Sequence, residues 1–220
     1  MNTFVSEYNN GKYRIGCSGG SLFVYSSTNN VMIDQIKLPY VYYGTFVLEY
    51  DVFIAKSTAG YLYRYDLINK TLEHLMISKS IQDGGFAICP WDKCFYNIEI
   101  TPLGHQISKY DVMSFQRLEI IPIKGDIANA YDLEFDDDSH AWFILLSYSY
   151  NGRIKRAVVK MDNSDCVGIR DISSKLFNQA VGYKYWERCG FTQKSLCIAK
   201  SFSENCTNPI RLADLYSSDA

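Results

Sequence analysis

Short apolar and aromatic runs alternate with polar turns along most of the chain. In "YLYRYDL", which starts at Tyr61, Tyr61, Tyr63 and Tyr65 fall on one face of an extended strand, and Leu62 and Arg64 on the other. Runs of this length, rich in aromatic and β-branched residues and bounded by Gly, Asn, Thr or Asp, are typical of β-strands. The pattern predicts an all-β protein built from short strands.

The runs recur in groups of four. "TFVSEY" begins at Thr3 and "TFVLEY" begins at Thr45, 42 residues later, and each hexamer is followed by three more runs. A second marker is an apolar or aromatic residue followed by Asp or Ser at the end of each predicted third strand. It occurs at Tyr25-Ser26, Tyr65-Asp66, Tyr110-Asp111, Met161-Asp162 and Ala213-Asp214. These intervals of 40 to 52 residues predict a repeating four-stranded unit.

Four-stranded units at this spacing indicate β-propeller blades, because one small sheet can bury both faces only between neighbours. The pattern resembles the propeller class called WD40-like or YVTN-like in the broad sense. A third strand ending in Trp-Asp, the mark of true WD40 repeats, is missing, since Trp91-Asp92 falls in a predicted first-hairpin turn. We predict a single propeller domain over 1–220 with about five antiparallel blades. The blades lie at about 3–39, 41–77, 83–123, 127–173 and 177–220.

A β-sandwich and a helical fold are the alternatives to the propeller. A β-sandwich also uses short strands, but it would not repeat the hexamer at blade spacing. For helices, "SSKLFNQ" from Ser173 is the best candidate, with a serine as cap. The fifth unit stops after its third strand, so Pro209–Leu215 is expected to be an open edge. This edge either pairs with a strand of another chain or marks a chain truncated from a longer propeller. In an alternative registration, "AVGYKYW" from Ala180 is the second strand of that unit.

Composition narrows the class of protein and partner. Hydrophobic residues make up 47% and charged residues 21%, as in globular proteins, and the formal net charge of −2 favours neither nucleic acid nor an anionic membrane. The start lacks a secretory signal pattern, and no apolar run of about 18 residues occurs. Seven cysteines show no disulfide framework. We therefore expect a cytoplasmic protein.

Two motifs suggest a metal at first sight. "DDDSH", from Asp136 to His140, offers oxygen ligands for calcium, but it lacks the glycine of a calcium loop and fits a solvated hairpin turn. "CPWDKC" offers Cys89 and Cys94, but zinc needs two more ligands, so we read it as two reduced cysteines flanking a turn. No nucleophile, nucleotide or metalloprotease motif is present. We predict neither a metal nor a cofactor.

Tyrosine-rich segments are the best binding candidates. "PYVYYG" from Pro39 is a predicted interblade loop, and "YSYNGR" from Tyr148 is a predicted loop between second and third strands. In propellers these two kinds of loop open on the same face, and Tyr and Arg are enriched at binding hot spots. The alternative is that single tyrosines begin or end strands and pack between blades. The candidate binding residues are Tyr40, Tyr42, Tyr43, His105, Tyr148, Tyr150 and Arg153.

These observations favour a non-catalytic scaffold that binds a protein or peptide through this tyrosine-rich rim. One alternative is an enzyme, a hydrolase or lyase, with an axial site assembled from several blades. Another is a structural subunit or a fragment of a larger propeller. Binding is preferred because the sequence contains no recognisable catalytic constellation, and a function must be argued from a site rather than from a fold.

Overall fold

The computed structural model describes residues 6–9, 13–18, 21–37, 41–47, 50–57, 59–77, 84–188 and 210–218 of the 220. For residues 6–9, 14–18, 41–47 and 185–188 it describes the backbone. Within these residues the chain is predominantly β and forms four antiparallel sheets of four strands each. The predicted all-β class is therefore confirmed at this level.

The strands of the first two sheets are Ser6–Asn9 (β1), Tyr13–Ser18 (β2), Ser21–Ser26 (β3), Met32–Lys37 (β4), Val41–Val47 (β5), Val52–Ser57 (β6), Tyr61–Asp66 (β7) and Thr71–Met76 (β8). Those of the third and fourth sheets are Phe86–Ile88 (β9), Cys94–Thr101 (β10), Gly104–Asp111 (β11), Arg117–Pro122 (β12), Ile127–Asp136 (β13), Ala141–Tyr150 (β14), Arg153–Asp162 (β15) and Asp165–Asp171 (β16). Among the described residues two helices follow, Ser174–Arg188 (α1) and Leu212–Ser217 (α2). Neither described helix is long and apolar enough to span a membrane.

The chain divides into two compact units. The first comprises Met1–Ile77 and Tyr185–Thr207 and holds the first two sheets. The second comprises Ser78–Lys184 and Asn208–Ala220 and holds the third and fourth sheets. The single domain over 1–220 stays a prediction.

Within each sheet the strands follow one another in chain order, and four of the five predicted marker pairs close a third strand. In three of these four pairs, those ending in Ser26, Asp66 and Asp111, the second residue caps the turn that follows. Asp66 Oδ1 accepts a hydrogen bond from the Ile68 amide at 2.9 Å, and Asp111 Oδ1 accepts one from the Ser114 amide at 2.6 Å. The recurring Asp is therefore a turn-capping residue, which satisfies a backbone donor that the sheet leaves unpaired.

The hexamer repeat is described only in part, since Thr3 to Val5, Leu48 and Glu49 lie outside the described residues. Where it can be compared, the two copies differ. Tyr8 lies inside β1 and faces Ile15, whereas Tyr50 follows the end of β5. The 42-residue interval is thus not the spacing of equivalent positions in the two sheets at this point.

The first unit buries an apolar layer between its two sheets. Tyr65 also donates a hydrogen bond from its hydroxyl to the Asp34 carboxylate of the other sheet, and burial and Asp34 together raise the pKa of Tyr65. This hydrogen bond adds a polar link to the apolar contact. The buried side chains of this layer are Leu22, Val24, Ile36, Phe53, Ala55, Tyr63, Tyr65 and Leu67.

The second unit has two apolar layers, one on each face of the fourth sheet. One layer lies against the third sheet and the other lies under the two helices. Side chains of the first layer include Tyr96, Ile98, Ile107, Leu133, Trp142, Ile144, Leu146 and Val159. Those of the second include Phe143, Leu145, Val158, Phe177, Ala180, Leu212 and Leu215.

The fifth blade predicted at about 177–220 is wrong in its described part, and residues 189–209 of it lie outside the described residues. "AVGYKYW" lies within α1, and most of Pro209–Leu215 lies in α2, so neither the alternative second strand nor the open edge is present where they are described. The alternation of Ala180 to Trp186 suggested a strand, but Lys184 is buried on the helix as the ion-pair partner of Glu134. The helical candidate at Ser173 is confirmed, because Ser173 Oγ accepts a hydrogen bond from the Leu176 amide at 3.3 Å.

Acidic residues of β13 hold both helices to the fourth sheet. Glu134 pairs with Lys184 of α1 and also accepts a hydrogen bond from the Leu212 amide at 3.2 Å. Asp136 pairs with Arg211 just before α2, and hydrogen bonds from Ser139 together with Arg211 lower its pKa. The interpretation of this acidic run as a wholly solvated turn is therefore wrong for Asp136, which is 6% exposed.

The helical cover can be tested at Leu212, whose side chain is fully buried. We expect Leu212→Ala to lower the free energy of unfolding by about 2–5 kcal/mol, because it removes buried methyl groups and leaves a cavity. Urea denaturation followed by circular dichroism measures this loss. The control, Ser217→Ala at an exposed position of the same helix, should change stability by less than about 0.5 kcal/mol. Equal small effects of both changes would show that α2 does not pack on the sheet.

Candidate functional site

The end of the β14–β15 hairpin brings three of the predicted binding residues together. The connection is the two-residue turn Asn151-Gly152, with φ of 51° and 71°, which is the geometry of a tight hairpin. Tyr150 therefore faces Arg153. Tyr148, Tyr150 and Arg153 lie in the strands that flank the turn, so the loop predicted for "YSYNGR" is reduced to two residues.

Two side chains at this hairpin end are fixed by one carboxylate. Tyr148 donates to Asp171 Oδ1 at 2.6 Å, and Lys155 Nζ donates to Asp171 Oδ2 at 2.6 Å. The hydrogen bond to Asp171 is the main cause that raises the pKa of Tyr148 and of Lys155. Partial burial acts to raise the pKa of Asp171, but Lys155 and Tyr148 outweigh it and lower the pKa. Asp171 therefore orders the side chains of β14 and β15 around it.

The other two side chains face solvent. Tyr150 is 55% exposed, and Lys155 Nζ lies 5.1 Å from the centre of its ring, within the range of a cation–π contact. Arg153 is exposed and has no ion-pair partner among the described residues. We call Tyr148, Tyr150, Arg153, Lys155 and Asp171 the hairpin surface.

His105 lies at the same end of the second unit. It is the second residue of β11, and its Nε2 is 3.3 Å from Asn129 Oδ1. Asn129 in turn faces Ser147, the neighbour of Tyr148 in β14. The structure thus brings His105 near the hairpin surface through β13.

The other tyrosine-rich segment is "PYVYYG", which starts at Pro39. Tyr40 lies outside the described residues, and Tyr42 and Tyr43 lie in β5, so the prediction of an interblade loop is wrong for these two residues. β5 pairs with β6 from Val41 to Val47, with a register shift between Val41 and Tyr43. The first unit carries these residues and the second unit carries the hairpin surface, and a shared rim stays a prediction.

Two members of the hairpin surface, Lys155 and Asp171, were not predicted from the sequence. Lys155 could have been found, because a two-residue Asn-Gly turn fixes the register and places Lys155 opposite Tyr148. Asp171 carries no local signal, because it reaches the pair from the last strand of the sheet.

"CPWDKC" forms a structural turn. Cys89 and Cys94 are free, buried and joined by a backbone hydrogen bond of 2.8 Å. Asp92 in the turn accepts hydrogen bonds from Tyr96 at 2.9 Å and from Lys109 at 2.7 Å. Among the described residues, no three His, Cys, Asp or Glu side chains are placed to hold a metal ion.

Comparisons with known proteins add information about the fold. The chain matches no protein-family model and no curated protein sequence. Of the solved structures, 906 chains are similar, so the fold is too widely shared to choose a function. One is hydrazine synthase from Kuenenia stuttgartiensis, with 15% identity and a TM-score of 0.60 over 77% of this chain. The match covers 49% of that protein, so this chain spans about half of its length.

Asp171→Asn should weaken the order of the hairpin surface. The lowered pKa of Asp171 means that its carboxylate adds stability above the ordinary carboxyl range, and that this contribution disappears as the pH falls through the lowered pKa. We therefore expect the variant to be slightly less stable than wild type at pH 7 and equal to it near pH 2, measured by urea denaturation. Asp165→Asn, at the other end of β16, is the matched control. A stability difference that does not change with pH would contradict the ionic role of Asp171.

The cysteines should differ in reactivity. Burial raises the pKa of Cys89 to about 12 and that of Cys94 to about 11, so at pH 8 roughly one thiol in a thousand or fewer is ionised. Cys166 is exposed. We expect iodoacetamide to modify Cys166 in the native protein, and Cys89 and Cys94 only after unfolding in urea, as read by peptide mass spectrometry. Equally fast modification of all three in the native protein would contradict the buried turn.

Proposed function

We propose that the four sheets are blades of a β-propeller-type fold. Each is a four-stranded antiparallel sheet in chain order, as a blade is. The second strands β6, β10 and β14 are buried along most of their length, whereas the fourth strands β8, β12 and β16 are largely exposed. This is expected for a central strand and an outer edge strand of a blade. The likeness to hydrazine synthase, which contains a propeller, supports the same fold.

We infer that the chain acts as a binding module that recognises a protein or peptide through the hairpin surface. The observation that carries this function is the exposed pair of Tyr150 and Arg153, which face each other at the end of a tight hairpin. Tyr and Arg are the residues most often found at energetic hot spots. Asp171 fixes the neighbouring Tyr148 and Lys155, so little side-chain freedom is lost there when a partner binds.

The charges of the surface favour one kind of partner segment. The charge of Lys155 is balanced by Asp171, whereas Arg153 has no such partner among the described residues. A guanidinium binds a carboxylate through two parallel hydrogen bonds, and the ring of Tyr150 offers apolar area beside it. We therefore propose that the partner presents an acidic residue next to an apolar or aromatic one.

The test begins with capture of partners on the immobilised protein and continues with one purified partner. We expect the double change Tyr150→Ala and Arg153→Ala to raise the dissociation constant at least tenfold, measured by calorimetry, because both hot-spot side chains are lost. The melting temperature should stay within about 2 °C of wild type, since both residues lie at the surface. Arg153→Lys should recover only part of the affinity, because an ammonium cannot make the paired contact.

Ile68→Ala, at a 70% exposed position of the first unit, is the control and should bind as wild type does. A partner that binds the double variant with unchanged affinity would rule out the hairpin surface as its binding site. Loss of affinity together with a large drop in melting temperature would show instead that the two residues stabilise the fold.

A further inference from the structure

An apolar cavity lies between the third and fourth sheets, which belong to the same compact unit. Its volume is about 220 Å³. The deep wall consists of side chains from β11, β12, β14 and β15, and each of these residues is at most 5% exposed. These side chains are Ile107, Ile121, Ile144, Leu146, Val159 and Met161.

The cavity is bounded on two sides. At the turn between β15 and β16, Ser164 Oγ donates a hydrogen bond to Glu119 Oε1 of the third sheet at 2.5 Å. On another side Ile123 and Ile127 line the cavity, where the chain passes from β12 to β13. These two features hold the third and fourth sheets together around the space between them.

The cavity is open to solvent at β16. Ile169 lines it and is nevertheless 53% exposed, and Cys166 at the same opening is exposed as well. β16 is the last strand of its sheet, so no further strand of that sheet covers this opening. A small molecule can therefore enter the cavity from the side without separating the two sheets.

The charges at the opening favour neither an anion nor a cation. Lys124 and Asp165 both line the cavity, both are exposed, and their charges are opposite. The deep wall has no charged or hydrogen-bonding side chain. A charged molecule would lose its water in this cavity without gaining a partner there, so an uncharged apolar molecule is the better fit.

The volume sets the size of the molecule. An engineered cavity of about 150 Å³, lined by Leu, Ile and Phe, stays dry and binds benzene. The present cavity is larger and can hold a ring with one or two substituents. Met161 adds a sulfur to the wall, and sulfur makes favourable contacts with aromatic rings.

We propose that this cavity is a binding site for a small uncharged aromatic molecule with a single substituted ring. The site uses none of the side chains of the hairpin surface. The double change Tyr150→Ala and Arg153→Ala should therefore leave it intact, and failure of one proposal does not affect the other.

The test compares three probes that share a benzene ring and differ in charge, namely toluene, benzoate and benzylammonium. We expect toluene to bind the full chain at least about tenfold more tightly than either ion in titration calorimetry, because the ions must lose their water. At ten times its dissociation constant, toluene should raise the melting temperature by about 3–6 °C. Equal affinity for an ion would overturn the uncharged class of ligand, and the absence of saturable toluene binding would overturn the site.

Two matched variants on β16 locate the binding. Ile169→Asp places a carboxylate at the opening and should weaken toluene binding at least about fivefold, because apolar contact is replaced by a hydrated charge. Val167→Asp introduces the same residue at a 54% exposed position of the same strand that does not line the cavity, and it should bind toluene as wild type does. Equal loss of affinity in both variants would overturn the location.

A third variant fills the cavity. Val159→Phe puts a ring into the space between the sheets, so toluene binding should be lost while the far-UV circular dichroism spectrum stays that of wild type. A folded Val159→Phe protein that binds toluene with unchanged affinity would overturn the proposal. If this variant does not fold, the comparison of Ile169→Asp with Val167→Asp still decides, because both positions are at the surface.

Discussion

The need to bury both faces of small sheets governs this structure. A four-stranded sheet cannot cover either face by itself, and each described sheet is buried by a neighbour where one is available. In the second unit the fourth sheet meets the third sheet on one face and two helices on the other. The helices thus cover a face of the fourth sheet that a further sheet would cover in a longer series of sheets. Glu134 and Asp136 make this possible, because they bind the cations that the helices bring to the sheet edge.

The β class and the marker pairs were predictable from the sequence because their physical cause is local. An Asp that caps the turn after a third strand must stand at a fixed position, as Asp66 and Asp111 do. Other parts of the repeat leave no common letter. One residue in each turn between third and fourth strands has a positive φ. These residues are Asn30, Lys70, Phe115 and Asn163. The backbone therefore repeats more faithfully than the sequence does.

The errors have a different origin, since they involve contacts between distant parts of the chain. The residues from Ala180 to Trp186 follow the alternating pattern of a strand. The buried face of the helix includes Lys184, and a charged residue is not expected there unless its ion-pair partner Glu134 is known. Of the hairpin surface, Tyr148, Tyr150 and Arg153 were predicted, because they flank the Asn-Gly turn, which is a signal in the local sequence. Asp171 was not predicted, because it lies in a different strand. The cavity between the third and fourth sheets was not predicted, because its walls come from separate strands whose residues look like ordinary core positions until the two sheets are placed together.

The attachment of α2 has a consequence for the order in which the protein forms. Within each sheet every strand pairs with its neighbour in sequence, so hairpins can form early with little loss of chain entropy. The contacts of α2 join Arg211 to Asp136 and Leu212 to Glu134, which are 75 and 78 residues apart. While the chain is being synthesised, the fourth sheet is complete at Asp171 before this helix emerges. Its apolar face, including Phe143 and Leu145, then lacks the cover of α2 and is open there to chaperones and to aggregation.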